Sequence, residues 1–192
     1  MASYKRIGIF GGSFDPPHYG HLILAREAQR AFKLSKVFFV PTYRHPFKKR
    51  AWASGRQRMK MVELAIEGDR NFAASDFEIK KKGPSFTYDT LEYFRGLFGT
   101  ETQLYFLAGF DCLGELAKWK NAGKLKKMAR FIGAPRPNTA KPRRRAYAGS
   151  VNMPLIDISS SGIRRSIKHS RPVRYMLPDK VLKFIERNRI YK

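Results

Sequence analysis

Between Gly11 and His21 the chain reads Gly-Gly-Ser-Phe-Asp-Pro-Pro-His-Tyr-Gly-His. The paired glycines, Gly11 and Gly12, let the backbone turn sharply and bring N–H groups against a bound anion. Pro16 and Pro17 stiffen the approach, so the loop loses little entropy on binding. His18 and His21 lie three apart where a helix is expected to begin, so both imidazoles can face one volume. The helix N-terminus adds partial positive charge there. The result is a phosphate site carrying two imidazoles. Its spacing is neither that of a P-loop nor G-x-G-x-x-G. Two histidines also suit zinc, but Asp15 is the one nearby acid and completes no ligand set, so no metal site is expected. Two ordinary surface histidines would not need a loop so fitted to close backbone approach.

A second motif runs Asp157-Ile158-Ser159-Ser160-Ser161-Gly162-Ile163-Arg164-Arg165. Serines opening a helix are most often N-caps. Hydroxyls, free N–H groups and a guanidinium at one helix N-terminus also make a phosphate cradle. Two such cradles at two strand ends suit a polyphosphate such as a nucleoside triphosphate.

The elements that must position these motifs alternate between strand and helix periods. Apolar runs predict strands at Arg6–Gly11, Val37–Val40, Phe72–Ile79, Leu104–Ala108, Ala129–Ala134 and Pro154–Ile158. Helical spacing begins at Tyr19, follows Ser54, and spans Thr87–Phe98, Ser160–Lys168 and Pro178–Asn188. The alternation predicts an α/β fold, Rossmann-like and doubly wound, with a mainly parallel sheet and helices on both faces. Ligands in such folds sit beyond the carboxyl ends of the strands, where both motifs fall. One nucleotide-handling domain is expected over residues 1–192, with a C-terminal helical part from about residue 159.

The chain has 192 residues, of which 43% are hydrophobic and 14% aromatic, enough for a packed core and too much for global disorder. No run reaches the roughly 18 apolar residues of a membrane span. The N-terminal residues run straight into a strand pattern without a leader-like apolar stretch. A single cysteine, Cys112, allows no internal disulfide and no thiolate cluster. A soluble, cytoplasmic protein with no membrane partner is expected. Thirty-nine basic against 15 acidic residues give a formal charge of +24. Residues 28–62 and 116–156 hold ten and eleven Lys or Arg with no acid between them. Such a field attracts polyanions, nucleotides and nucleic acid among them, and weak nonspecific nucleic-acid binding is expected of the Lys141–Arg145 stretch at low salt. A merely solvated surface is the alternative.

The Gly11–His21 loop resembles the H/T-x-G-H signature of the nucleotidyltransferase superfamily, and Ile158–Arg164 resembles its S-S/T-x-I-R motif. Within the superfamily the chain is similar to the bacterial nicotinate-nucleotide adenylyltransferases from about Lys5 to Tyr191. Five further features carry that narrower likeness. They are the Pro41–Lys48 loop, Gly83-Pro84-Ser85-Phe86-Thr87-Tyr88-Asp89-Thr90, Gly109-Phe110-Asp111-Cys112-Leu113 followed by Trp119, and the Pro135–Pro137 and Arg174–Pro178 segments.

The resemblance implies adenylyl transfer from ATP to nicotinate mononucleotide, with Mg²⁺ carried by the nucleotide. It implies that His18, His21 and Arg164 are catalytic. Gly11, Gly12, Ser13, Phe14, Gly109, Asp111, Ser160 and Ser161 would join them in binding ATP. Ser13, Lys48, Thr87, Tyr88 and Trp119 would bind the mononucleotide, Trp119 by stacking on its ring. Read from their types alone, Trp119 could equally anchor a core and Asp111 cap a turn. A sister enzyme using the amide mononucleotide or another phosphorylated acceptor, and a nucleic-acid-binding protein on the same scaffold, are the rival readings. Oligomeric state is not legible.

Overall fold

The computed structural model describes residues 4–46, 51–135 and 147–192. Six parallel strands form one sheet in the order β3-β2-β1-β4-β5-β6. The strands are β1 (Arg6–Gly12), β2 (Lys36–Pro41), β3 (Phe72–Ala74), β4 (Gln103–Gly109), β5 (Arg130–Ala134) and β6 (Gly149–Ser150). The order reverses direction between β1 and β4, which makes their carboxyl ends the switch point of a doubly wound sheet.

Alternation along the central strands divides the core between two faces. Phe10, Tyr105, Leu107 and Ile132 point to one face, where they meet α1 (Tyr19–Ala31) and α2 (Gly55–Ile66) through Leu24, Ala25, Ala28 and Val62. Ile7, Ile9, Leu104, Phe106 and Phe131 point to the other. There they pack on α4 (Thr87–Phe98), α5 (Phe110–Gly114) and α6 (Ala122–Met128) through Leu91, Phe94, Leu113 and Leu125. Leu91 and Phe94 are wholly buried, each contributing about 1.5–3 kcal/mol by removal from water. The helices on both faces match the fold class expected from the sequence. A third cluster joins α7 (Ser160–Lys168) and α8 (Asp179–Arg187) to α2, with Met61, Ile163, Leu177, Val181, Ile185 and Tyr191 buried together.

Two expected strands are corrected. Of Phe72–Ile79 only Phe72–Ala74 pairs with β2; Asp76 then precedes a short helix, α3 (Phe77–Lys81). Pro154–Ile158 joins no strand, and the sixth strand is the two-residue Gly149–Ser150 beside β5. Pro154 has no N–H to give a ladder, which suits an irregular path.

Candidate active site

The loop leaving β1 is built around Phe14. Its φ of 47° is left-handed, costing about 1–3 kcal/mol for a residue with a side chain. Ring burial offsets this: Phe14 is 1% exposed and meets Phe10, Phe39 and His21 at centroid distances of 5.3, 5.6 and 5.1 Å. His18 is the N-cap of α1 and forms a reciprocal capping box with His21. The His18 N–H donates to His21 Nδ1 at 3.2 Å, so a neutral His21 carries its proton on Nε2. The two rings lie 3.8 Å apart. A side chain at Gly20 would press within 3.1 Å of the His18 ring, so glycine there keeps the imidazole in place.

The second motif docks directly on this loop. Ser159 caps α7 by accepting from the Gly162 N–H at 3.1 Å. Ser160 Oγ donates to the Pro16 carbonyl at 2.8 Å, and Arg164 Nη1 donates to the Asp15 carbonyl at 2.6 Å. Ser161 is exposed at the helix start, its Oγ 3.3 Å from that of Ser159. The two expected anion cradles are therefore one surface.

A buried polar network lies beneath it. Asp15 is 3% exposed and accepts from the N–H groups of Trp52 and Ala53 at 2.8 and 3.1 Å and from Tyr191 Oη at 2.7 Å. Arg58, 1% exposed, donates to the carbonyls of Ser13 at 2.8 Å and Ala53 at 3.1 Å. Burial lowers the Arg58 guanidinium from its ordinary value, and the nearby Asp15 carboxylate opposes that shift. Burial, and then the Asp15 charge, push the Tyr191 phenol far up, so it remains a donor.

Beside this surface, Gly109 is the buried N-cap of α5 at the end of β4, and Asp111 stands exposed in the first turn. Phe106 connects the two regions. A side chain on Gly11 would come within 3.1 Å of its ring, which meets Trp119 edge-on at 6.0 Å. Trp119 also meets Phe131 at 6.2 Å and is only partly buried. It is therefore attached to the core while keeping exposed surface.

Thr87 and Tyr88 are the first two residues of α4, so their N–H groups have no acceptor within the helix. The segment before them is tied to the loop after β2, where the Ser85 N–H donates to the Arg44 carbonyl and the Tyr43 N–H to Ser85 Oγ, both at 2.9 Å. Lys120 Nζ lies 2.9 Å from Asp89 Oδ1 and 4.9 Å above the Phe86 ring, while Lys81 Nζ is 2.8 Å from Asp89 Oδ2. Two ammonium groups thus share one carboxylate at the α4 start.

The cytidylyltransferase-like family model matches residues 9–166, which takes in both motifs. A Thermoanaerobacter sp. (strain X514) protein named "Probable nicotinate-nucleotide adenylyltransferase" is 39% identical over all of this chain and 97% of its own length. One of the same name from Oceanobacillus iheyensis is 37% identical, covering 97% of each. The chain belongs to the cytidylyltransferase-like family, among its nicotinate-nucleotide adenylyltransferases. Its fold is similar to that of the Plasmodium falciparum nicotinic acid mononucleotide adenylyltransferase solved with NaAD, with a TM-score of 0.82, 21% identity and 97% of each chain covered.

Of the residues that the likeness to this adenylyltransferase family singles out, Gly11, Gly12, Ser13, Phe14, His18, His21, Ser160, Ser161 and Arg164 converge on the β1 and α7 junctions. Gly109 and Asp111 stand at the end of the adjacent strand, β4. Thr87, Tyr88 and Trp119 gather at the α4 end. Lys48, Arg136, Pro137 and the Lys141–Arg145 stretch lie outside the described residues. Sequence reasoning missed Arg58 and Tyr191 and gave Asp15 no role beyond failed metal ligation. The signal in Asp15 was its place within the signature loop; its hydrogen-bond partners are 37, 38 and 176 residues away. No three His, Cys, Asp or Glu side chains converge as metal ligands among the described residues. No described helix is long and apolar enough to cross a membrane.

Proposed function

We propose that this adenylyltransferase moves the adenylyl group of ATP onto the phosphate of nicotinate mononucleotide, in the cytoplasm, giving nicotinate adenine dinucleotide and pyrophosphate for NAD synthesis. The observation that carries this reading is the docking of Ser160 and Arg164 onto the loop that holds the closely paired His18 and His21. That arrangement suits a triphosphate laid across two helix N-termini.

An oxygen of the mononucleotide phosphate attacks the α-phosphorus, and the bond to the bridging oxygen of the β-phosphate breaks. No protein nucleophile is needed, because the attacking phosphate is already anionic and pyrophosphate leaves readily. The protein holds two polyanions against mutual repulsion and aligns them. His18 and His21, the latter through its Nε2 proton, stabilise charge on the transferring group. Ser160, Ser161 and Arg164 hold the departing pyrophosphate, and the Gly11–Phe14 backbone wraps the phosphates. Asp111, beside Gly109, accepts from the ribose. Ser13 and Lys48 meet the mononucleotide phosphate, the Thr87 and Tyr88 N–H groups meet its ring carboxylate, and Trp119 stacks on the ring. Mg²⁺ would ride on the nucleotide phosphates, which suits a site without a carboxylate cage, and would supply charge neutralisation.

An amide on the ring would set its own N–H donors against those of α4. Such mispairing costs about 1–3 kcal/mol and forfeits the charge-assisted part of the contact. In a pyrophosphate-release assay with ATP, kcat/KM for nicotinate mononucleotide should exceed that for nicotinamide mononucleotide by about 10²-fold or more. Equal values would remove the nicotinate assignment and leave adenylyl transfer standing.

A further inference from the structure

We propose that Tyr191, the penultimate residue, is a positioning residue that keeps Arg164 turned toward the triphosphate by occupying Asp15. The inference rests on the adenylyltransferase reading, in which Arg164 binds the phosphates.

Asp15 is a buried carboxylate beside two guanidinium groups, and neither takes it in a close pair. Its short contacts are the Trp52 and Ala53 N–H groups at 2.8 and 3.1 Å and Tyr191 Oη at 2.7 Å. Arg58 directs its Nε and Nη1 donors to two carbonyls rather than to the carboxylate. Arg164 Nη1 reaches the Asp15 carbonyl at 2.6 Å but stands 3.9 Å from Oδ2. A paired Arg–carboxylate contact would fall near about 2.7–2.9 Å and often engages two guanidinium nitrogens at once. Arg164 is thus held by one nitrogen on a neutral acceptor, and its Nε makes no hydrogen bond among the described residues.

The hydroxyl of Tyr191 decides this balance. It donates to Oδ1 from a residue 7% exposed, in the cluster that packs α7 and α8 on α2. Without it, Oδ1 loses one of its two short donors, Ala53 N–H being the other. Arg164, its Nη1 3.9 Å from Oδ2 and its side chain 22% exposed, is the guanidinium placed to move in. Its collapse onto Asp15 would withdraw the guanidinium from the phosphates. Tyr191, beyond the end of α8, therefore acts on the leaving-group side of the reaction, although it makes no contact with substrate in this scheme.

The test is steady-state kinetics on the full chain with ATP and nicotinate mononucleotide, comparing wild type, Tyr191→Phe, Arg164→Ala and the double variant. Tyr191→Phe keeps the buried ring and loses only the hydroxyl. We expect its KM for ATP to rise about tenfold, with KM for the mononucleotide within twofold of wild type. The rise should vanish in the Arg164→Ala background, because a residue acting through Arg164 has nothing left to act on. An unchanged ATP KM, an equal change for both substrates, or an effect that adds to Arg164→Ala would overturn the inference. So would a Tyr191→Phe chain that does not fold, since the hydroxyl would then hold the fold and not the guanidinium. A wild-type chain without turnover would instead defeat the adenylyltransferase reading itself.

Discussion

In the proposed scheme the end that would hold the phosphates and the end that would hold the ring are built on different principles. At the phosphate end, Asp15, Arg58 and Tyr191 are each 7% exposed or less, and backbone groups supply most of the hydrogen bonds. At the ring end one hydrogen bond is buried, from Thr90 to Glu78, and the charged contacts beside it are ion pairs on partly exposed side chains: Lys81 at 34%, Lys120 at 44% and Asp89 at 17%. The difference follows from what each end must do. Charge moves only at the transferring phosphoryl group, and donors there help most when fixed before substrate arrives, in surroundings of low dielectric. The ring is recognised but not changed, so a stacking surface and a few oriented donors suffice.

The largest consequence concerns His21, whose orientation is set by the His18 N–H and whose ring rests against Phe14. His21→Ala should cut kcat by about 10²-fold or more, roughly 3 kcal/mol, the scale of losing one preorganised donor to the transition state. KM for ATP should move less, because the other phosphate contacts remain. Single-turnover rates within threefold of wild type would show that the preorganised end is not where the barrier is lowered.

This same contrast governs how much could be read from the sequence. The carriers of local pattern were legible: the paired glycines after β1, the histidines three apart, the serine run opening α7, and the full extent of α4 at Thr87–Phe98. The network that braces them was not. Arg58 lies within an amphipathic helix where a cation reads as solvent-facing, and only the Ser13 and Ala53 carbonyls bring it inside. Tyr191 follows α8 like any terminal aromatic, and its partner is 176 residues away. The ring end misled differently. Phe72–Ile79 carries enough apolar residues for a strand, yet Asp76 breaks it and Glu78 is drawn inward to Thr90 at 2.6 Å.

A smaller effect is expected at the ring end. Trp119 meets Phe106 and Phe131 edge-on and keeps a partly exposed face, so its loss removes stacking without emptying the core. Trp119→Ala should lower kcat/KM for the acid and amide mononucleotides together, each by about tenfold, the value of 1–1.5 kcal/mol of aromatic contact. The ratio between the two substrates should stay within twofold, because stacking sees either ring. A collapse of that ratio would mean that Trp119 orients the carboxylate as well as the ring, and the division between recognition by donors and recognition by stacking would fail.

The smallest effect separates two carboxyl groups of the ring end that titrate in opposite directions. Burial raises Glu78 above the usual carboxylate range, more than the hydrogen bonds from Thr90 and Ser85 lower it. Burial would also raise Asp89, but hydrogen bonds from Lys81 and Lys120, and their charges, outweigh it and hold Asp89 low. The signs follow. The stabilisation tied to Glu78 is complete below its unfolded value, near 4.5, and is lost as pH rises through its raised folded value. That tied to Asp89 is present above its unfolded value, near 3.8, and is lost as pH falls through its lowered folded value. Glu78→Gln keeps an acceptor for the Thr90 hydroxyl and removes the titration. Its Tm should therefore fall less than that of wild type between pH 5 and 8, by about 2–4 °C, which is what 1 kcal/mol is worth in a chain of this size. Asp89→Asn should instead lower Tm at pH 7 by a similar or smaller amount, since the pairs it breaks are partly exposed, and should converge with wild type as pH falls through the lowered folded value of Asp89. Parallel Tm profiles for wild type and Glu78→Gln would overturn the upward shift of Glu78 and leave Asp89 as the one carboxyl group of the pair whose titration bears on stability.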